Sequence, residues 1–576
     1  MATKQPTDVA DGKAGDWYND LTASSREAFH TDPELCESML RKVVSTFPLK
    51  IRSSQISMGS GLFTEAQIDA GREIYQSPPL MTAVDVGNES FCHYCLKDTK
   101  DGFSTGSAGD DNTSLAKSCT GCRVARFCSK ECQKAAWTEF HKDECRVMRD
   151  VPQMKAQHLL AHRLVFWGQR KRIMASQGKA ISFLETHFRE YSEDGDRISE
   201  ITDIAMAIRE ATGGKVNLGL VWRTVPALRV NSVRIRPAAR KESVGYALDL
   251  VTAVMNHSCD PNAFAFFDGR QLYVRSLKTI AAGEEITICY LDPTIAISIR
   301  REFLQREYFF DCRCKRCESE LNEQSALLGH DASLLPTLYQ SQQDILDLMR
   351  NAVLAARRPG LYPEFENLPS VEGQLRAITQ RAFPSTTTSS TTTTPSTSTH
   401  TKKADAWPAH MAPLPAARLA LAMLYLEQGK PVQAARHALR GARLGRRDPR
   451  TPSGPSPSAW SGCRPEWVND TMDVVAALLF AASAGGGGGG AGLPAPDDLR
   501  TVAYGYLYEA CRAAGDVFGG GARYTRDTCG LFAAIVGGKH GSRPGSEEFK
   551  GEFEQAQRRV GTWAGIGEKD WVRLSY

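Results

Sequence analysis

Eight soft metal ligands fall in four pairs along one stretch of chain: Cys92-x2-Cys95, Cys119-x2-Cys122, Cys128-x3-Cys132 and His141-x3-Cys145. A two-residue gap lets a tight knuckle aim both thiolates at one ion, and a three-residue gap puts both ligands on the same face of a helical turn. Together they make two complete tetrahedral zinc shells. So small a module has too little apolar mass to fold alone, and metal binding would supply its folding free energy. His93 lies inside the first knuckle and is read as a non-ligand. A second cluster, Cys312-x-Cys314-x2-Cys317, offers three ligands, one short of a closed structural site, so a fourth must come from elsewhere. Cys259 is the candidate. It sits in Met255-Asn256-His257-Ser258-Cys259-Asp260-Pro261-Asn262, which crowds an amide, an imidazole, a hydroxyl, a thiol and a carboxylate against a strand-like run. On that octet alone His257 reads as a satisfied core histidine and Cys259 as a buried thiol; the downstream trio of cysteines tips the reading to a site. The remaining cysteines, Cys36, Cys289, Cys463, Cys511 and Cys529, are scattered and read as small hydrophobes.

Composition bounds what such ligands can serve. At 576 residues, 42% hydrophobic and 24% charged, the chain is ordinary globular material, long enough for about two to four domains. A formal charge of +4 and an isoelectric point near 8.3 are mild for this length, so nucleic acid is not the expected main partner. No N-terminal stretch pairs a basic start with an apolar run and a small-residue cleavage site, and the longest apolar run, Val474 to Ala482, is too short to span a bilayer. The expected setting is intracellular, cytoplasmic or nuclear, with no membrane; Arg170-Lys171-Arg172 is too short a basic run to argue for the nucleus. A reducing compartment disfavours structural disulfides and leaves metal binding as the use for clustered thiols.

Periodicity gives the elements that must position these groups. Residues 1–45 are polar and lead into a mixed helical pattern from Glu34 to Phe47, with no function assigned. From Ile51 to Met81 the pattern is strand and turn: a Gly59-Ser60-Gly61 bend, Leu62-Phe63, a Gly71 turn into Ile74-Tyr75, and a Pro78-Pro79 stop. Val151 to Gly214 reads as helical, with Leu160, Leu164 and Trp167 on one face and Gly213-Gly214 ending the last helix. Strand character returns with a hairpin, Phe264 to Phe267 and Gln271 to Val274, because Asp268-Gly269 supplies the positive φ of a tight turn. Ala282-Gly283 then turns the chain into Ile286 to Tyr290. Both flanks of the cysteine-rich module are β-rich, so the economical arrangement is one sheet interrupted by an insertion. Beyond about 320 the chain is helical and Ala-rich. Leu419, Met423 and Leu426, then Val432, Ala435 and Leu439 across Gly429-Lys430-Pro431, look like a helical hairpin of the tetratricopeptide type. The Ser/Thr run Ser385 to Thr401 and the glycine run Gly485 to Gly490 lack the apolar content to offset ordering entropy and are expected to be flexible.

The paired array, closing with Arg126-Phe127-Cys128, Cys132, Trp137, His141 and Cys145, resembles the MYND zinc finger. That resemblance implies interleaved pairing, with Cys92, Cys95, Cys128 and Cys132 on one ion and Cys119, Cys122, His141 and Cys145 on the other; spacing alone leaves sequential pairing open. The long polar loop between Cys95 and Cys119 departs from the family pattern and is tolerable, since closure entropy grows slowly with length. The octet and the downstream trio resemble SET methyltransferases with a cysteine-rich post-SET segment. This implies that Asn256 and His257 contact S-adenosylmethionine and that Cys259 completes a zinc site with Cys312, Cys314 and Cys317. Gly59-Ser60-Gly61-Leu62-Phe63 stands where that family has its first cofactor loop, the glycines allowing close backbone approach. Gly283-Glu284-Glu285-Ile286 to Tyr290 resembles the strand ending in a catalytic tyrosine, and Tyr308-Phe309-Phe310-Asp311-Cys312 the segment with the second, Tyr308, and an adenine-packing aromatic, Phe310. Taken singly, Tyr290 and Tyr308 would more often be core aromatics. Asn231, in Val230-Asn231-Ser232, fits a less distinctive cofactor contact.

Both modules in this order resemble the SET and MYND domain-containing protein-lysine methyltransferases. The implied fold is α+β and multidomain. An N-terminal extension (1–45) precedes a β-rich SET domain in two parts (46–83 and 227–308), split by a MYND finger (84–145) and a helical insert (146–226). A post-SET zinc segment (309–320) and an α-helical C-terminal domain (321–576) follow, with flexible segments about 383–406 and 484–496. The match is close over about residues 46–320 and architectural beyond. The implied activity is methyl transfer from S-adenosylmethionine to lysines of a protein substrate, histone or non-histone, with three Zn2+ in all. Tyr290 and Tyr308 would line a dry channel that aligns the amine and favours its neutral form, since free lysine has a pKa near 10.4. Peptide partners would dock on the MYND finger and the C-terminal helices of a monomer. The family's basic residues flanking the first glycine are Met58 and Ser60 here, which implies a looser hold on the cofactor's carboxylate. They favour the competing expectation, a non-catalytic peptide-binding adaptor with a degenerate SET domain; the retained Asn256, His257, Tyr290 and Tyr308 oppose it.

Overall fold

A computed structural model of the chain describes residues 28–57, 59–99, 116–170, 172–214, 216–240, 242–382, 407–408, 411–444, 464–484, 492–536, 542–566 and 574. Met58, most of the polar loop after Cys95, the Ser/Thr and glycine runs and Cys463 lie outside the described residues.

Five strands precede the cysteine-rich module: β1 (Val44–Ser45), β2 (Leu49–Ser53), β3 (Ser60–Thr64), β4 (Glu73–Ser77) and β5 (Met81–Val84). Two lie within it, β6 (Lys117–Ser118) and β7 (Arg126–Phe127). Six follow: β8 (Val233–Arg234), β9 (Gly245–Leu248), β10 (Asn256–His257), β11 (Ala263–Asp268), β12 (Gln271–Ser276) and β13 (Glu285–Ile288). The two flanks do interleave, but in three small sheets rather than the single one expected. Their orders are β1-β4-β12-β11, β10-β13-β3-β2 and β5-β9-β8, each mixing strands from both sides of the insertion. The strands of these sheets run only two to six residues, too short to build one continuous sheet, and they are covered on both faces: β5 buries every side chain and β3 all but one. Leu62, Ile68, Ile74, Ile280 and Ile286 are fully buried between the layers, and removing this apolar surface from water is the main favourable term in the fold.

Local signals held where a turn decides the geometry. β11 and β12 pair from Ala263↔Ser276 to Asp268↔Gln271, with Gly269 at φ 59° in the turn. Ser60 and Gly61 are not a bend; both already belong to β3, which pairs Gly61 with Arg52 and Ser60 with Ser53 of β2. The N-terminal helix spans Pro33–Leu40, capped by the Asp32 side chain, and ends before Phe47 because β1 claims Val44 and Ser45. Gly213 and Gly214 do end the helix Gly195–Ala211, but a further helix, Leu218–Asn231, follows despite Pro226. That proline removes one backbone donor, yet Leu220, Val221, Val225 and Leu228 are buried on the same helix, and this burial outweighs the lost bond. Helices Lys142–Asp150, Leu218–Asn231 and Lys315–Leu327 run across the divisions at 145, 226 and 320.

Beyond residue 327 the described chain is helical. Leu414–Glu427 and Pro431–Leu444 form the hairpin read from the sequence, with Gly429 at φ 70° between them. This part has its own core, including Leu421, Leu478, Leu507 and Phe553. It also packs on the sheets: Phe266 and Phe518 stack edge to face at 5.3 Å, and the Arg523 backbone N–H donates to Asp268 at 3.0 Å. Cys511 and Cys529, read as lone hydrophobes, form a disulfide between helices Pro496–Phe518 and Arg523–Val536, their Cα atoms 5.3 Å apart. The tight connection between these helices brings the two together, which scattered sequence positions do not reveal. No helix among the described residues is long and apolar enough to cross a membrane.

Candidate active site and metal centres

Three groups of four ligands converge: Cys92, Cys95, Cys128 and Cys132; Cys119, Cys122, His141 and Cys145; and Cys259, Cys312, Cys314 and Cys317. Within each, the ligand atoms lie within 4.8 Å of one another. A tetrahedral zinc with bonds of about 2.3 Å has sulfur–sulfur edges of about 3.8 Å. Cys95–Cys128 and Cys128–Cys132 at 3.5 Å, Cys119–Cys145 at 3.9 Å and Cys122 to His141 Nε2 at 3.7 Å match that edge. The donor sets fit Zn2+, and the pairing in the finger is interleaved. β6 and β7 bring the knuckles together, while the helix Lys130–Ala136, capped by Ser129, carries Cys132. His93 is buried beside this centre and is outside both ligand sets.

The finger is tied to the rest of the fold through its histidine. His141 Nδ1 lies 3.4 Å from Glu144, and the Arg163 guanidinium donates to both Glu144 oxygens at 2.6 and 2.8 Å. Arg163, on the helix Ala156–Gln169, also reaches the Thr82 carbonyl of β5 and lies 3.8 Å from the Phe140 ring centroid. Burial would push the Glu144 carboxyl up, but Arg163 and His141 outweigh it and hold it down at about 2. A carboxylate behind a ligating histidine fixes ring orientation and tautomer.

Under the third group lies a buried ionic network. Arg300, fully buried, and Arg316 both donate to Glu320 at 2.6 Å; Arg316 also donates to the Cys259 carbonyl at 2.9 Å and the Pro293 carbonyl at 2.6 Å. Four thiolates around one Zn2+ would carry two net negative charges, and two guanidiniums against one carboxylate leave a net positive charge beside them that offsets about half of it. His257 Nε2 is 3.2 Å from Cys259 Sγ, while Nδ1 accepts from the Tyr290 backbone N–H at 3.1 Å. Since Nδ1 is an acceptor, the neutral ring carries its proton on Nε2 and points it at the sulfur.

That arrangement joins the metal group to a pocket. β10 runs parallel to β13, pairing Asn256 with Thr287 and His257 with Ile288, so the octet lies beside the strand that leads into Tyr290. Tyr290 donates its hydroxyl to the Met255 carbonyl at 2.7 Å, and its ring centroid is 4.8 Å from that of Tyr308. Burial pushes both phenols above their ordinary range, so both remain protonated at neutral pH. The His257 ring packs, tilted, against Tyr290 at 5.2 Å and Phe310 at 5.8 Å. Tyr308 ends the helix Ile297–Tyr308, and Phe309 then adopts φ 59°, a left-handed conformation rare for a bulky residue. This turn places Tyr308 and Phe310 on the same aromatic cluster while Phe309 packs on Tyr191 and His187.

On the other side of β10, Asn256 Nδ2 donates to the Ser60 carbonyl at 2.9 Å and to Glu285 at 2.6 Å, and Ser54 Oγ donates to the same carboxylate at 2.9 Å. A Cβ on Gly61 would lie 2.4 Å from Glu285 Oε1, so a larger residue here would oblige the Glu285 side chain to move. Gly59 has open space around its Cα, its nearest neighbour being Ser57 Oγ at 3.7 Å from a built Cβ. Asn231 donates to the Glu185 and Ala227 carbonyls, both at 2.7 Å, and lines a cavity of about 50 Å³ together with Tyr290 and Tyr308. The structure therefore gathers Ser60, Gly61, Asn256, His257, Tyr290, Tyr308 and Phe310 around β10, with Asn231 across the cavity. His257 enters with both ring nitrogens already engaged, which leaves its backbone as the part able to meet a ligand. Sequence reasoning missed Glu285, His30 and Glu466. The side chain and backbone of His30 both meet Ser60 Oγ at 3.0 Å, and Glu466 lines the tyrosine cavity from the C-terminal part. Only Glu285 carried a signal, lying in the same short segment as Tyr290.

A family model of the SET domain matches residues 59–291. The chain is 29% identical over 341 residues to the human histone-lysine N-methyltransferase SMYD3, covering 56% of this chain and 75% of that protein. It is 32% identical over 206 residues to the SET domain and MYND-type zinc finger protein 6 of Schizosaccharomyces pombe, covering 35% and 41%. Against the histone-lysine N-methyltransferase ASHR1 of Arabidopsis thaliana it is 26% identical over 288 residues, covering 47% and 56%.

Proposed function

Because the chain belongs to the SET and MYND domain-containing protein-lysine methyltransferase family, we propose that it transfers a methyl group from S-adenosylmethionine to lysine side chains of protein substrates. The observation that carries this reading is the pairing of Tyr290 and Tyr308, rings 4.8 Å apart, on a cavity that adjoins the parallel β10–β13 pair. S-adenosylmethionine, when bound, supplies an activated methyl group on a sulfonium, so no general acid for a leaving group is needed. Gly59, Ser60, Gly61, Asn231, Asn256, His257 and Phe310 would hold it. Amide and backbone groups suit its amino-acid end, and the flat apolar face of Phe310 suits its purine.

Tyr290 and Tyr308 would receive the lysine amine. The Tyr290 hydroxyl already gives its proton to Met255, leaving its oxygen lone pairs to accept an amine N–H and fix the direction of the nitrogen. Alignment and exclusion of water are the protein's contribution, which is proximity catalysis. Three groups of four ligands support a reading with two zinc ions in the finger and one at the site closed by Cys259; the last would pin the octet under the pocket. The names of the human and thale-cress relatives make histones the first substrates to test. Tyr290→Phe should lose most transfer from radiolabelled S-adenosylmethionine to core histones, and undiminished labelling would remove Tyr290 from the reaction. A cofactor that binds the folded state raises the unfolding temperature by mass action, so no shift at millimolar S-adenosylmethionine would overturn the proposal itself.

A further inference from the structure

Two cavities meet at one carboxylate. The smaller, about 50 Å³, holds Tyr290 and Tyr308; the larger, about 1080 Å³, is a cleft between the β-rich part and the C-terminal helices. Three residues line both, Arg234, Arg236 and Glu466, and among the described residues Glu466 is the only carboxylate on the smaller cavity. It comes from the first turn of the helix Arg464–Ala484. Its Oε1 pairs with Arg236 at 3.3 Å, its side chain is 12% exposed, and its Oε2 is buried with no hydrogen-bond partner. A buried carboxylate oxygen without a donor is a standing free-energy cost, which a cation or an N–H brought against the carboxylate would relieve.

We propose that Glu466 receives the substrate's ε-ammonium where the cleft narrows to the tyrosine cavity and takes from it the proton the amine must lose. This inference rests on the methyltransferase reading above and adds to it a residue of the C-terminal domain. In the step, one N–H bond of the ammonium breaks, its electron pair stays on nitrogen as the lone pair, and the proton forms an O–H bond at Oε2. The charges balance without any further reactant: ammonium and carboxylate become amine and carboxylic acid. Because the same side chain lines the cleft, the proton can then pass to solvent.

The surroundings favour this direction. Asp470, Asp473 and Asp527 line the cleft and draw a cation inward. At the cavity itself the guanidiniums of Arg234 and Arg236 disfavour a charged lysine and favour its neutral form. Burial pushes the Glu466 carboxyl up to about 7 against the pull of Arg236, with Asp292 and Asp470 adding to the rise. An ordinary glutamate is a weaker base than lysine by about six powers of ten, and this one by only about three. Tyr290, Tyr308 and Cys289 are all pushed up and stay protonated, so none of them competes for the proton.

The test uses the full chain with core histones and a pool of short peptides, each with a single lysine. General-base assistance is worth about 10²-fold or more, so Glu466→Gln should lower kcat/KM by about 10²-fold near pH 7. The deficit should shrink toward pH 10, where the target amine is neutral unaided, and Glu466→Asp should restore part of the rate. A deficit that is the same at every pH, or no deficit, overturns the proposal. Carbodiimide cross-linking reads the contact without requiring turnover: a zero-length link from Glu466 to the acceptor lysine is expected, mapped by mass spectrometry. Links at Asp473 or Asp527 with none at Glu466 overturn the inference and leave the methyltransferase reading standing. A wild-type protein that transfers no methyl group sinks that reading instead, and the cross-link then decides the Glu466 contact alone.

Discussion

Arg163→Met should be among the most damaging single changes outside the metal ligands. Arg163 and Glu144 are 3% and 1% exposed, and the guanidinium donates to Glu144 at 2.6 and 2.8 Å, reaches the Thr82 carbonyl and lies over Phe140. Methionine keeps much of the stem's packing but leaves the Glu144 carboxylate buried with no cation. Breaking a buried pair by removing one partner costs about 3–5 kcal/mol. At about 2–4 °C per kcal/mol for a domain of this size, the unfolding midpoint should fall by roughly 10 °C in calorimetry. Glu144→Gln with Arg163→Met removes the stranded charge while keeping an oxygen for His141, so the double variant should recover about 1–3 kcal/mol of the loss. A single variant within about 2 °C of wild type, or a double variant whose loss equals the sum of the two singles, would refute the claim that this pair docks the finger.

Three further outcomes follow from the geometry. Gly61→Ala puts a Cβ 2.4 Å from Glu285 Oε1, so the carboxylate must retreat by about 1 Å and release Ser54 and Asn256; S-adenosylmethionine affinity by calorimetry should fall at least about tenfold, and an unchanged affinity would show that Glu285 does not hold the pocket. Cys259→Ser should lower zinc content by one atom per chain in elemental analysis and abolish the thermal shift from S-adenosylmethionine, whereas retention of both would separate the thiol from the pocket. The Glu466 carboxyl is pushed up to about 7 in the folded chain, so its contribution to stability is complete below about pH 4.5 and is lost as pH rises through 7; Glu466→Gln should flatten that part of the stability–pH curve by about 3 kcal/mol, and identical curves would contradict the burial argument.

Features set by neighbouring residues were legible in the sequence. Asp268-Gly269 sits in its hairpin and Gly429 in its helical turn, because the backbone conformation each requires is chosen by the residue itself. The ligand pairs were equally plain, since each occupies one knuckle or one helical turn; which pairs share an ion came from resemblance to a family. The rest is non-local. Nothing within β3 or β13 announces that Leu62 opposes Ile286, and short strands buried on both faces carry no alternation to count. Glu466 reads as a charged residue at a helix start; only the approach of Arg236 and the tyrosine cavity gives it a role. Phe309 gives no hint of its left-handed backbone, and the residues its ring packs on, Tyr191 and His187, lie more than a hundred positions away.

The interleaving of strands from both flanks has a consequence for synthesis. β3 cannot meet β13 until roughly 220 further residues have left the ribosome, which at about 5–20 residues per second is roughly ten to forty-five seconds. During that interval the apolar faces of Leu62, Ile74 and Ala83 have no partner sheet, while the cysteine module, whose ligands all lie within one stretch, can close as soon as metal reaches it. A nascent chain starved of zinc would add an unfolded insertion to hydrophobic strands that are already waiting for their partners, the kind of species that recruits chaperones or aggregates.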